Sequence, residues 1–281
     1  MSGHRLTLRQ TPALRLDLRG VLPETLAGLS VAEVERLPLA CGRDLVPLAE
    51  WFTVEATQDA ESDAVAALHL VGDLSRVDHI GHQMAYGRLR IDGPVGDGLG
   101  VQMRGGVIRL HGSARDLVGC EMSGGELHID GDIGDFAAST LPGSMDGMRG
   151  GLLAVRGRAG DRLADRMRRG TVLVGGAVGD FAASRLVAGT VVLGGRCGVH
   201  PAWGMRRGSV LFVEPDAATR SLSLPGFVPG GGEMAIAWQL MARDLARHTD
   251  FPALADLPRR AVHRLCGDLA VDGLGELLFL D

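Results

Sequence analysis

MRGGVIRLHGSARD, residues 103–116, MSGGELHIDGDIGD, residues 122–135, and MRGGLLAVRGRAGD, residues 148–161, are versions of one phrase. Each carries a methionine, a glycine pair, alternating apolar residues, another glycine and an aspartate. With the methionine as register mark, the phrase returns at Met84, Met103, Met122, Met148, Met167 and Met205, with Leu186 once standing in. The step is 19 residues throughout, except for 26 between Met122 and Met148. A fixed period of this length is the mark of a solenoid, in which each repeat buries its apolar face against the next.

Three residues after each mark stands a glycine: Gly87, Gly106, Gly125, Gly151, Gly170, Gly189 and Gly208. Five and seven residues after it come apolar pairs such as Ile108 and Leu110, Leu127 and Ile129, and Val172 and Val174. Alternation of period two is a short strand with one face buried. A second glycine follows at nine, from Gly93 to Gly195, and a small apolar residue at eleven. No segment of the repeat has the length of a helix. A strand this short is stable only when stacked on its neighbour, roughly 4.8 Å away. Glycines serve the corners, and the methionines fill an interior column.

The fold expected is all-β: a right-handed parallel β-helix of about seven coils. Right-handedness follows from the period, because left-handed β-helices keep a six-residue rhythm and 19 is not a multiple of six. The coils span 67–214. Residues 1–66 read as a mixed α/β cap, with a strand at LRLDL (14–18) and a short helix whose N-cap is Ser30. At Glu214 and Pro215 the pattern stops. The extension 215–281 holds an amphipathic helix whose Met234, Trp238, Met241 and Leu245 share one face, expected to pack on a coil end or on a partner.

Composition sets limits on function. The chain has 281 residues, a net charge of −5 and 42 glycines. That charge gives no footing for nucleic acid or a membrane surface. All 29 cationic Lys+Arg positions are arginine, the codon bias of a GC-rich, bacterial genome. No apolar run approaches a membrane span. Cys41, Cys120, Cys197 and Cys266 form no C-x-x-C pair, which argues against zinc ribbons and iron–sulfur clusters. A cytoplasmic setting with reduced thiols is expected.

Several columns carry chemistry. Asp97, Asp116, Asp135, Asp161 and Asp180 recur thirteen residues after the mark. They read as corners in which each carboxylate accepts backbone N–H bonds, in preference to a cation site. Arg104, Arg149, Arg168, Arg169, Arg206 and Arg207 follow the marks and would align as a positive stripe, or else pair with acids on a solvated face. His69, His79, His82, His111, His128 and His200 are scattered by the register, and His128 should face away from the core. No G-x-S-x-G, P-loop or dinucleotide fingerprint appears. No catalytic residue and no metal-ligand set is therefore expected. The seven extra residues near STLPGSMDGM, 139–148, interrupt one corner and are expected to be presented to a partner, a tolerated neutral insertion being the competing account.

The coils, the LPGSMDGMRGG insertion at 141–151 and the ending GDLAVDGLGELLF at 267–279 resemble the C subunit of the formylmethanofuran dehydrogenase family, and closely that of the bacterial formyltransferase/hydrolase complex. More distantly, the coils resemble the glycine-repeat domain of the glutamate synthase large chain. The resemblance implies a non-catalytic scaffold in a hetero-oligomer. Its partners would be an amidohydrolase-like chain, a pterin-enzyme-like chain and a formyltransferase. The bacterial assembly would move a formyl group from formyl-tetrahydromethanopterin to a methanofuran-type carrier and release formate, serving formaldehyde oxidation in methylotrophs. No cofactor would be bound tightly by this chain. Arg149, Arg168, Arg169, Arg206 and Arg207 become candidate contacts for the carrier's glutamate-rich tail. The C subunit of an archaeal molybdenum or tungsten formylmethanofuran dehydrogenase, a standalone glutamate-synthase-type spacer and a trimeric β-helical acyltransferase are the alternatives.

Overall fold

The computed structural model describes residues 3–57, 66–214, 224–230 and 235–280; Pro215 and Met234 lie outside them. Strand β1 (Gly3–Leu8) is followed by β2 (Leu16–Asp17), helices α1 (Pro23–Leu26) and α2 (Val31–Glu35), and strands β3 (Pro38–Cys41), β4 (Asp44–Pro47) and β5 (Phe52–Thr57). Ser30 caps α2 as the sequence predicts, in a reciprocal box with Glu33. The repeat then supplies β6 (Ala67–Val71), β7 (Val77–Asp78), β8 (Arg88–Asp92), β9 (Val107–His111), β10 (Ser123–Ile129), β11 (Arg149–Val155), β12 (Arg169–Val174), β13 (Thr190–Leu193) and β14 (Ser209–Phe212). The chain closes with β15 (Val228–Pro229), α3 (Ala235–Leu245), β16 (Val262–Gly267) and β17 (Gly275–Leu280).

The framework is β. A 13-stranded sheet runs β15-β16-β17-β14-β13-β12-β11-β10-β9-β8-β6-β1-β5, and a four-stranded sheet runs β4-β3-β2-β7. From β6 to β14, strands one repeat apart pair in parallel with like positions opposed, as in Leu89↔Ile108, Val172↔Val191 and Val191↔Val210. A second line of bridges joins the small apolar residues eleven after the marks: Leu74↔Val95, Val95↔Ala114, Ala159↔Val178 and Val178↔Cys197. The six anchor methionines are fully buried in the interior column.

Both termini join the stack. β1 adds in parallel to β6, and β17 adds in parallel to β14, so the last rung comes from a segment far along the chain. Each added rung is then closed by an antiparallel strand, β5 at one end and β16 at the other. Among the described residues, the edges of the long sheet are then β5 and the two-residue β15.

The arc before each mark is not a strand. In Arg162, Ala164 and Arg166, and again in Phe181, Ala183 and Arg185, every second residue has φ between 53° and 58°. Left-handed non-glycine residues are individually unfavourable. They persist here because alternate N–H groups reach opposite neighbours: Arg162 donates to Asp180 and Arg166 to Ser184 on the next rung, Ala164 to Ala137 on the previous one.

Besides the interior core there is a second, on the outer face of the long sheet. Ala154, Leu173, Val192, Leu211 and Leu278 meet Trp238, Ala242 and Leu245 of α3, with Leu254 and Leu257 from the turns that follow. The indole N–H of Trp238 donates to the Arg260 carbonyl at 2.8 Å. The extension helix therefore lies along the flank of the stack, whereas the sequence points to a coil end or a partner. The reason is the position six after each mark, which turns apolar from Ala154 onward and gives these strands two buried faces.

Candidate functional site

The aspartate column is a hydrogen-bonded ladder. Oδ1 of Asp78, Asp97, Asp116, Asp135 and Asp161 accepts the backbone N–H of the next aspartate at 2.8, 3.3, 2.9, 2.8 and 2.7 Å. Asp180 accepts from Val199 at 2.8 Å. These are corners, as the sequence predicts, with the donor supplied by the neighbouring rung. A glycine at the position before most of these corners makes room: a Cβ on Gly160, Gly179 or Gly198, the last before Val199, would sit 2.1–2.2 Å from the carboxylate below. Arg115 fills that position once, and there the ladder bond is longest, at 3.3 Å. The lower end is closed by Arg15, whose guanidinium binds Asp78 and reaches Asp97 at 3.1 Å. Burial alone would raise the Asp78 pKa; the Arg15 and backbone donors outweigh it and hold this carboxyl below the usual range. Among the described residues, no group of three or more His, Cys, Asp or Glu is arranged to hold a metal.

Of the arginines singled out by sequence, Arg149, Arg168 and Arg169 come together at one exposed corner, with Arg149 opposite Arg169. Arg206 and Arg207 lie two rungs on, because Val187 and Ala188 fill the intervening positions. Ser123 interrupts the column between Arg104 and Arg149 in the same way. The inserted loop approaches the same corner: Asp146 pairs with Arg168 at 2.5 Å, and Arg166 Nη1 lies 3.2 Å from Met145 Sδ. At its base, buried Glu121 accepts from Gln102 and from the Leu141 N–H, at 2.9 and 3.3 Å. Burial of Cys120 beneath the loop pushes its thiol up to about 12, which disfavours the thiolate.

The histidines meet acids separately along the stack: His69 with Asp92 and His111 with Asp130, each at 2.7 Å, and His128 with Glu126 at 2.9 Å and Asp250 at 3.6 Å. His79 lies 3.2 Å from Asp17, and His82 is held below its usual range by burial and by nearby Arg19. His200 lies tilted against Phe181, which also meets Trp203 edge-on and the Arg162 guanidinium. His128 faces outward, as its register predicts.

One feature is not among the sequence expectations. Arg5, His69, Arg90, Arg109 and His128 occupy in-register outer positions on β1, β6, β8, β9 and β10. Beside them lies an open groove of about 620 Å³ lined by His69, Arg88, Arg90, Arg109 and His111. Its signal is nonetheless in the repeat: the residue between the two apolar positions reads Arg90, Arg109, His128 and then Ala154, Leu173, Val192, Leu211.

Residues 71–223 match the GXGXG motif family. Among curated relatives, the C subunit of the Methylorubrum extorquens formyltransferase/hydrolase complex Fhc is 38% identical over 94 residues, 34% of this chain and 33% of that one. The C subunit of the tungsten-containing formylmethanofuran dehydrogenase 2 of Methanothermobacter thermautotrophicus is 30% identical over 95 residues, 34% and 35% of the two chains. That of the molybdenum-containing formylmethanofuran dehydrogenase 1 of Methanosarcina barkeri is 33% identical over 83 residues, 30% and 27%. The matched stretch thus spans about a third of these relatives' length. A chain in the crystal structure of the M. extorquens formyltransferase/hydrolase complex FhcABCD with methylofuran superposes with a TM-score of 0.84 and 35% identity, over 98% of both chains. Its repeats and its end-to-end likeness to that chain make this protein a member of the GXGXG motif family, in the branch formed by these C subunits.

Proposed function

We propose that this chain is the non-catalytic structural C subunit of a bacterial formyltransferase/hydrolase complex. The complex would transfer formyl from formyl-tetrahydromethanopterin to a methanofuran-type carrier and release formate. The observation that carries this reading is the likeness over 98% of both chains to a component of FhcABCD, a structure containing methylofuran. In sequence, the bacterial and the archaeal-type relatives are alike matched over about a third of their length, the bacterial one at 38% identity and the archaeal ones at 30% and 33%. The 19-residue step, parallel register and second line of bridges support a right-handed parallel β-helix of about seven coils spanning 67–214. In this reading 1–66 and 215–281 serve as cap and extension. Amidohydrolase-like, pterin-enzyme-like and formyltransferase chains are the partners, in the cytoplasm. Among the described residues no helix is long and apolar enough to cross a membrane.

Within the complex, exposed Arg149, Arg168, Arg169, Arg206 and Arg207 would contact the carrier's carboxylates, since guanidinium groups offer paired donors to each. The test is co-purification through a tag on this chain in its native host. An amidohydrolase-like chain and a formyltransferase in equal amounts, without bound metal pterin, are expected; a metal pterin among the products would make it the archaeal-type enzyme. Changing the five arginines to glutamate should lower carrier retention, and unchanged retention would remove the carrier role.

A further inference from the structure

The outer face of the long sheet is covered over half its extent. Over β11–β14 and β17 it is apolar and carries α3 with its following turns. Over β6, β8 and β9 it is open and lined by basic side chains, with no Asp or Glu among the described residues of the groove.

Two adjacent columns on this face differ in how their charges balance. Eight residues after the marks the signs alternate, Asp92, His111, Asp130, Arg156, and the column satisfies itself: Asp130 binds His111 at 2.7 Å and Arg156 at 2.9 Å. Six after the marks, Arg90, Arg109 and His128 are all basic, and Arg5 and His69 extend the line. Like-charged side chains directly opposite on neighbouring strands repel. Asp92 compensates His69 and Arg90 from the side. Arg109 has no partner among the described residues, and Arg5 Nε is buried without a hydrogen bond.

The layer that covers the other half reaches this face at its border. At the border of the covered half, Asp250 from the layer following α3 reaches Arg156 at 2.8 Å and His128 at 3.6 Å. Phe251 beside it packs into the apolar cluster with Ala154. A small cleft bounded by Asp250 and Phe251 shares Arg109 and His111 with the groove.

We infer that the open half is the docking face for a neighbouring subunit, which continues the covering layer and presents a segment rich in Asp or Glu to Arg90 and Arg109. This rests on the reading of the chain as part of a hetero-oligomeric complex.

The experiment uses the complex purified through a tag on this chain. Arg90→Glu with Arg109→Glu should lower recovery of one partner about tenfold or more at low salt, because reversed charges across an interface repel. A photo-crosslinking residue at position 109 should join that same partner within an acidic segment, and reversing its carboxylates to arginine should restore recovery. Arg90→Gln with Arg109→Gln, which keeps side-chain bulk, should give a smaller loss of the same partner. Full recovery of every partner by the Glu pair overturns the assignment. So does a Glu pair that keeps all partners but no longer binds oligoglutamate, which would make the groove a site for a free polyanion. If the unaltered chain brings no partner, the complex reading fails and the docking face with it.

Discussion

At the scale of single residues, the recurring methionine and glycine are one device in two parts. The methyl carbons of Met103, Met122, Met148 and Met167 lie 2.7–2.8 Å from where a Cβ would stand on Gly125, Gly151, Gly170 and Gly189 of the next rung. Those glycines also have positive φ, 84–113°. A side chain there would strain the backbone and displace a core methyl at once. Gly170→Ala should therefore lower unfolding free energy by about 2–4 kcal/mol, measured by denaturant titration, whereas a neutral result would dissolve the interlock. The aspartates predict the acid response. Asp78, Asp92 and Asp132 are all held below the usual carboxylate range: burial opposes the shift at Asp78 and Asp92 and donors overcome it, while at Asp132 the Arg158 donors lead. A depressed folded pKa contributes stability above the unfolded value and loses it as pH falls through the folded one. Denaturation midpoints should thus be level down to about pH 5 and fall below about pH 4, and Asp78→Asn should flatten part of that fall.

At the scale of elements, the strands divide by their outer face. β8 and β9 show water Arg90 and Arg109, while β12–β14 carry Leu173, Val192 and Leu211 under α3. Leu211 is fully buried in the cluster that holds Trp238 and Leu245. Leu211→Ala should cost about 2–5 kcal/mol in the α3 layer. Hydrogen exchange should then quicken in α3 while the amides of β9 and β10 keep their protection, because the layer and the interior core are separate clusters. Equal loss of protection in both would mean that the two cores unfold as one.

At the scale of the whole molecule, the stack is nearly one-dimensional, so its ends decide where it stops. β5 and β16 close it from opposite ends of the chain, and the Ser209 hydroxyl binds Glu276 at 2.6 Å across the last added rung. Among the described residues the basic half of the outer face stays uncovered, and that is the face proposed to dock a neighbouring subunit.

The periodic part of this architecture was legible in the amino-acid order. The rung length, the apolar pairs, the glycine columns and the aspartate corners are each local and repeated, so translation along the stack turns a sequence period directly into a spatial neighbour. The Ser30 cap was legible for the same reason, being settled within four residues. The tertiary structure decided what depends on distant segments. It chose the next rung's N–H as partner for each aspartate. It laid Trp238 and Leu245 on the flank of β12–β14 and joined β1 and β17 to the same sheet. It also brought Arg5 of β1 into line with the basic column that the repeat itself spells at Arg90 and Arg109. Those outcomes turn on which outer surfaces the termini cover, and no window of the repeat contains that information.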